Sequence, residues 1–161
     1  RVCVEPILFD GSGHIAEVAM TTQGAHGPLS AKERLEAGRA CQLSGKVRIV
    51  PDPHVHGTEI LSMIEHGDWA CFRYLDFEAG CKLFSVEAGS STCGGLVEIR
   101  LDHPDGHLVG TCRIDTTGEW SDSRCFSAPI EHTEGVHALY LRFRGGKGRL
   151  FDLRSIQFAT S

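Results

Sequence analysis

Apolar and polar residues alternate along much of this chain in short runs. Phe84, Val86 and Ala88 interleave with Ser85 and Glu87, and Val97, Ile99 and Leu101 with Glu98 and Arg100. His137, Leu139, Leu141 and Phe143 interleave with Arg142 and Arg144. A period of two sends successive side chains to opposite faces, so each run predicts a strand with one buried face. Leu108, Cys112 and Ile114 are expected to face inward, with Thr111 and Arg113 outward. In two runs the parity changes midway. Ala70 and Phe72 share one parity, Leu75 and Phe77 the other. Phe151 and Leu153 likewise differ from Ile156 and Phe158. A bulge near Arg73-Tyr74 and a second in the last strand are expected. With Ala70 and Phe72 inward, Trp69 points outward.

Turn signals separate the runs. Pro51 to Gly57 reads as a loop, His103-Pro104-Asp105-Gly106 as a turn, and Gly118 as the pivot of Asp115-Thr116-Thr117-Gly118-Glu119-Trp120. Trp120 therefore stands at the rim of the β structure, as a lid on the core or as a flat platform for a ligand. Upstream, Val2 to Phe9 and His14 to Thr22 flank Asp10-Gly11-Ser12-Gly13 as a hairpin, and Gln23 to Pro28 reads as a linker. Ser30 to Ala40 carries some helical character that Gly38 weakens. Short strands between turns, without a long helix, predict an all-β fold, an antiparallel β-sandwich, with an N-terminal hairpin extension. The expected division is 1–29 for hairpin and linker and 30–161 for the sandwich.

A chain of 161 residues with 41% hydrophobic and 23% charged residues is long enough to bury one core. The net charge of -5 argues against a nucleic-acid partner. No apolar run reaches membrane-spanning length. The start at Arg1 suggests a piece of a longer protein. Seven cysteines leave at least one unpaired. Reduced core thiols are one reading, with Cys112 on an apolar face. One or two disulfides, Cys81 with Cys93 among them, are the other. His54 and His56 lack a third ligand for a metal site. There is no G-x-S-x-G or H-E-x-x-H motif, and no spacing singles out a catalytic carboxylate pair. The glycine-rich stretch from Arg144 to Arg149 precedes no helix and reads as a hairpin turn.

An ordered set of segments resembles the family 6 carbohydrate-binding modules. These are Gly67-Asp68-Trp69, Leu75-Asp76-Phe77, Gly94-Gly95-Leu96-Val97-Glu98-Ile99-Arg100-Leu101-Asp102, Thr117-Gly118-Glu119-Trp120, Gly135-Val136-His137 and Phe143-Arg144-Gly145-Gly146, with Leu35-Glu36-Ala37 as the opening. The resemblance covers about residues 33–161. Residues 1–29 resemble the end of family 43 glycoside hydrolases, through Cys3-Val4-Glu5-Pro6, Asp10 to Gly13 and Met20 to Gly24.

The resemblance implies a jelly-roll sandwich that binds plant-type polysaccharide (xylan, arabinoxylan or β-glucan) beside an upstream catalytic domain. Catalytic residues would lie outside this chain, and secretion would be the rule, whereas reduced thiols would suit the cytoplasm. The alternative is an accessory module that packs on the catalytic domain without binding sugar. In the family's loop cleft, two aromatics hold a sugar. Trp120 matches one, while the other falls on Met63. A polar Asn falls on Asp152, expected to accept hydrogen bonds from hydroxyls, and a Glu falls near Ile49. Trp69 matches an aromatic of a second site on the concave sheet face. The family's structural calcium would use Glu36, a position occupied by Gly38, and one occupied by Arg154. No ion is therefore expected, and Arg154 is expected to pair with Glu36.

Overall fold

The computed structural model describes residues 4, 5, 7, 9–15, 17, 18, 21, 22 and 24–161. Alternation translates into twelve strands: β1 (Leu29–Ser30), β2 (Leu35–Glu36), β3 (Gln42–Leu43), β4 (Arg48–Pro51), β5 (Glu59–Ser62), β6 (Trp69–Asp76), β7 (Cys81–Gly89), β8 (Gly95–Leu101), β9 (Leu108–Ile114), β10 (Ser123–Thr133), β11 (Val136–Arg144) and β12 (Asp152–Ala159). One sheet runs β1-β6-β11-β8-β9, with β3 also on β6. The other runs β10-β7-β12-β5-β4, with β2 on β12. β10 joins the two through Ile130 opposite Gly110. All pairings among these strands are antiparallel except β1 with β6.

The inward faces meet in one core, where Phe72, Phe77, Phe84, Phe143, Phe151 and Phe158 are fully buried. Phe158 touches Phe77 and Phe84 at 4.9 and 5.1 Å between ring centroids, and Phe143 meets Phe151 at 5.7 Å. The edge-on Phe77–Phe158 and Phe143–Phe151 contacts join the two sheets, while the tilted Phe84–Phe158 pair lies across β7 and β12 within one of them.

Both parity changes are bulges. Across β6 and β11 the register passes from His137–Leu75 to Leu139–Phe72, leaving Arg73 and Tyr74 opposite Ala138 alone. Across β12 and β7 it passes from Leu153–Ala88 to Ser155–Glu87, and Arg154 is the extra residue. A third bulge, between Ile99–Gly110 and Arg100–Leu108, corrects the expectation for Leu108. The extra residue sends Val109 into the core at 6% exposure and leaves Leu108 outside at 42%.

The stretch Ser30 to Ala40 is not an α-helix. It contributes β2 and one 3₁₀ turn, Ala37–Arg39. Leu35 and Ala37 are buried on either side of exposed Glu36, and pairing of β2 with β12 overrides the local helical composition. In the predicted N-terminal hairpin, Phe9 bridges Ile15 and the Asp10 carboxylate accepts the Ser12 and His14 N–H groups. The rest of its strands falls partly outside the described residues, as does Cys3. Cys81 and Cys93 form no disulfide, nor do Cys41, Cys71, Cys112 and Cys125. Cys81 and Cys112 are buried in the core, whereas Cys93 is exposed. Burial lifts the Cys112 thiol to about 11.

Candidate functional site

Three loops converge at one end of the sandwich, and Ser90 ties two of them. Its carbonyl accepts the N–H groups of Thr117 and Gly118 at 2.8 and 3.1 Å, anchoring the loop that carries Trp120. Its hydroxyl donates to the Leu150 carbonyl at 2.6 Å, fixing the turn that carries Arg149. The Leu150 N–H donates to the Ile64 carbonyl at 2.9 Å, which brings in the segment with Ser62 and Met63. Gly118 holds φ +95°, the conformation the turn demands.

This convergence assembles Trp120, Asp152, Ser62 and Arg149, with Met63 next along the chain from Ser62. The Arg149 guanidinium carbon lies 3.9 Å from the centroid of the Trp120 ring, a cation–π stack. Its Nε donates to Asp152 Oδ1 at 3.2 Å and its Nη2 to Asp152 Oδ2, a two-pronged pairing. Nη2 also donates to the Ser62 hydroxyl at 3.0 Å. Asp152 is 4% exposed, and both its oxygens accept from Arg149. Met63 is 45% exposed and holds φ +59°, a conformation rarely adopted by a side chain of its size. Ile49 is half-buried against the core. Arg149 escaped the sequence reading, which took its stretch only as a turn. The i,i+3 spacing of Arg149 and Asp152 just after that turn was the available signal.

Trp69 lies elsewhere, on the outer face of the β6 sheet. It points outward, as parity predicts, but packs edge-on against Tyr140 at 5.4 Å, over Cys41, Cys71 and Ala138. It is half-buried, and its backbone N–H donates to the Ser44 hydroxyl. Cys41, just before β3, adjoins Cys71 of β6, and the Cys41 N–H donates to the Cys71 carbonyl at 2.8 Å.

The residues at the position of the implied calcium do not suit the ion. Arg154 is 7% exposed and its Nε donates to Asp52 Oδ2 at 2.8 Å, so its partner is Asp52 rather than the expected Glu36. Burial raises the Asp52 carboxyl, but the His54 N–H and the Arg154 guanidinium outweigh it and hold Asp52 below the ordinary value. A side chain at Gly38 would collide with Glu59, whose Cβ lies 2.5 Å from the place of a Cβ. Among the described residues no group of three or more His, Cys, Asp or Glu side chains is gathered for a metal.

Comparison with known proteins gives the family and the fold. The family model for carbohydrate binding module (family 6) matches residues 36–160. The arabinoxylan arabinofuranohydrolase of Bacillus subtilis is 31% identical over 163 residues, which cover 96% of this chain and 31% of that protein. The arabinoxylan arabinofuranohydrolase of Paenibacillus polymyxa is 38% identical over 100 residues, 61% of this chain and 16% of that protein. The chain thus spans about a third or less of the length of these curated relatives. Among solved structures, a family 6 carbohydrate-binding module from Clostridium cellulolyticum, in complex with xylose, superposes with a TM-score of 0.76 at 33% identity. It covers 81% of this chain and 98% of that one.

Proposed function

Because the chain belongs to family 6 of the carbohydrate-binding modules, which are noncatalytic, we propose that it binds plant-type polysaccharide of the xylan class through the loop cleft at Trp120. The observation that carries this is the meeting of Trp120 with the Arg149–Asp152 pair, beside Ser62 and its chain neighbour Met63, at the convergence of three loops. A pyranose presents an apolar C–H face and a rim of hydroxyls. The aromatic ring and the Met63 thioether suit the face, while the Arg149 N–H groups suit the rim. Burying about 100 Å² of apolar surface contributes roughly 2.5 kcal/mol, so one platform supports a modest affinity. The xylose complex of the Clostridium module and the arabinoxylan-directed relatives support the sugar class. The upstream partner is a glycoside hydrolase catalytic domain, with residues 1–29 as its end and the linker.

The departures from the metal pattern at Gly38 and Arg154 further support a module that folds without calcium. Titration calorimetry with xylohexaose on the wild type, Trp120→Ala and Trp69→Ala tests the site. A dissociation constant between about 10 μM and 1 mM is expected, lost in Trp120→Ala and kept in Trp69→Ala. Loss confined to Trp69→Ala would move the site to the sheet face. No binding by the wild type across xylan, arabinan and β-glucan fragments would replace this reading with the accessory module that binds no sugar.

A further inference from the structure

Behind the Trp120 loop lies a cavity of about 210 Å³ that the loop cleft does not use. Ser121 and Ser123, just after Trp120, form its rim, and Arg154 forms part of its wall. At Gly89 an added Cβ would stand 2.7 Å from the Trp120 carbonyl and 3.4 Å from Arg154 Nη1, so the Trp120 backbone and the Arg154 guanidinium flank the same point of β7. Arg154 engages Asp52 through Nε, but its Nη1 is buried and has no hydrogen-bond partner among the described residues. An unsatisfied buried N–H of a guanidinium is costly, and a ligand oxygen would relieve it.

Charge decides what kind of oxygen. The fixed cation of Arg154 repels a metal ion. Glu36, Asp52, Glu59 and Glu87 outnumber Arg34 and Arg154 around the cavity, which disfavours an anion. Arg34 hydrogen-bonds Glu87 and keeps its carboxyl below the ordinary value, so it remains an acceptor. A neutral hydroxyl satisfies both demands: its oxygen accepts from Nη1 and its proton goes to a carboxylate. The volume falls below the 300–1,000 Å³ or so of pockets for drug-sized ligands and suits a single sugar ring.

Resting on the reading of Trp120 as the main platform, we propose that this cavity is a subsite for a neutral side-chain sugar of a decorated polysaccharide whose main chain lies on Trp120. The module then prefers branched over unbranched chains. The test is calorimetry of the full chain with xylohexaose and with a xylo-oligosaccharide of the same main-chain length bearing an arabinofuranosyl branch. The wild type should bind the branched ligand about five- to tenfold more tightly, the scale of one well-made hydrogen bond. Ser123→Phe, which fills the cavity from the outer sheet face, and Arg154→Met, which removes the donor, should erase the difference and leave xylohexaose binding unchanged. Ser123→Phe keeps the buried Arg154–Asp52 pair, so it decides the matter if Arg154→Met fails to fold. Equal affinities in the wild type, or a preference that survives Ser123→Phe, would overturn the subsite alone. Absence of binding to both ligands by the wild type would overturn the Trp120 reading and the subsite with it.

Discussion

Arg149 in the turn before β12 and Arg154 at the bulge within it do different work. Arg149 is held between a ring and a carboxylate at a rim, where its remaining N–H groups can meet a ligand. Arg154 is sunk beside Asp52, whose side chain is 1% exposed. Breaking a buried ion pair leaves one charge unpaired and costs about 3–5 kcal/mol. Asp52→Asn keeps part of the hydrogen bonding, so a loss of about 2–3 kcal/mol in urea unfolding is expected. The pH dependence has a definite sign. The folded pKa of Asp52 lies below the free value of 3.8, so its stabilisation is complete above 3.8 and drains away as pH falls through the lower folded value. Melting curves of Asp52→Asn should show a shallower acid limb below that point than the wild type. A second expectation follows from the same fixed cation. The melting temperature should be equal in EDTA and in millimolar calcium, and a sharp fall in EDTA would show that an ion is bound after all.

At the level of elements, the β7 end governs the cleft. Gly89 closes β7 against the Trp120 loop, and a Cβ there would meet the Trp120 carbonyl at 2.7 Å and that of Asp122 at 3.2 Å. Backbone cannot swing away as a flexible side chain can. Gly89→Ala should therefore lift the loop, separate Trp120 from Arg149 and weaken xylohexaose binding about tenfold. The accompanying loss of stability should be about 1–3 kcal/mol, the ordinary cost of overpacking. Thermal unfolding together with calorimetry would separate these effects. A variant that binds as the wild type does would show that the loop position is not set here. The bulges act at the same scale. One extra residue at Val109 or Arg154 re-aims a side chain without breaking the sheet.

For the whole molecule, the question is where the module begins. The family match starts at residue 36, while Leu29–Ser30 already pair with β6. Thr21 is buried, bonded to Glu5 and in contact with the Cys41 thiol, so the N-terminal segment also touches the sandwich. A chain starting at Leu29 should keep a cooperative melt, and its loss would make the N-terminal segment integral to the sandwich. The sequence alone determined the fold class, because a period of two leaves one face apolar and two such faces bury one another. It likewise revealed the bulges at Arg73-Tyr74 and Arg154 through broken parity, and the rim position of Trp120 through the turn at Gly118. It did not reveal the bulge at Val109, because Leu108 and Val109 are equally apolar and only the register with β8 chooses between them. Nor did it show Arg149 over Trp120 or Arg154 against Asp52. These depend on contacts between distant residues: Ser90 with Leu150 across 60 positions, Ser62 with Arg149 across 87, and Asp52 with Arg154 across 102. Local patterning records which face of a strand is buried. Which charged side chain meets which partner is decided only when the loops close over one another.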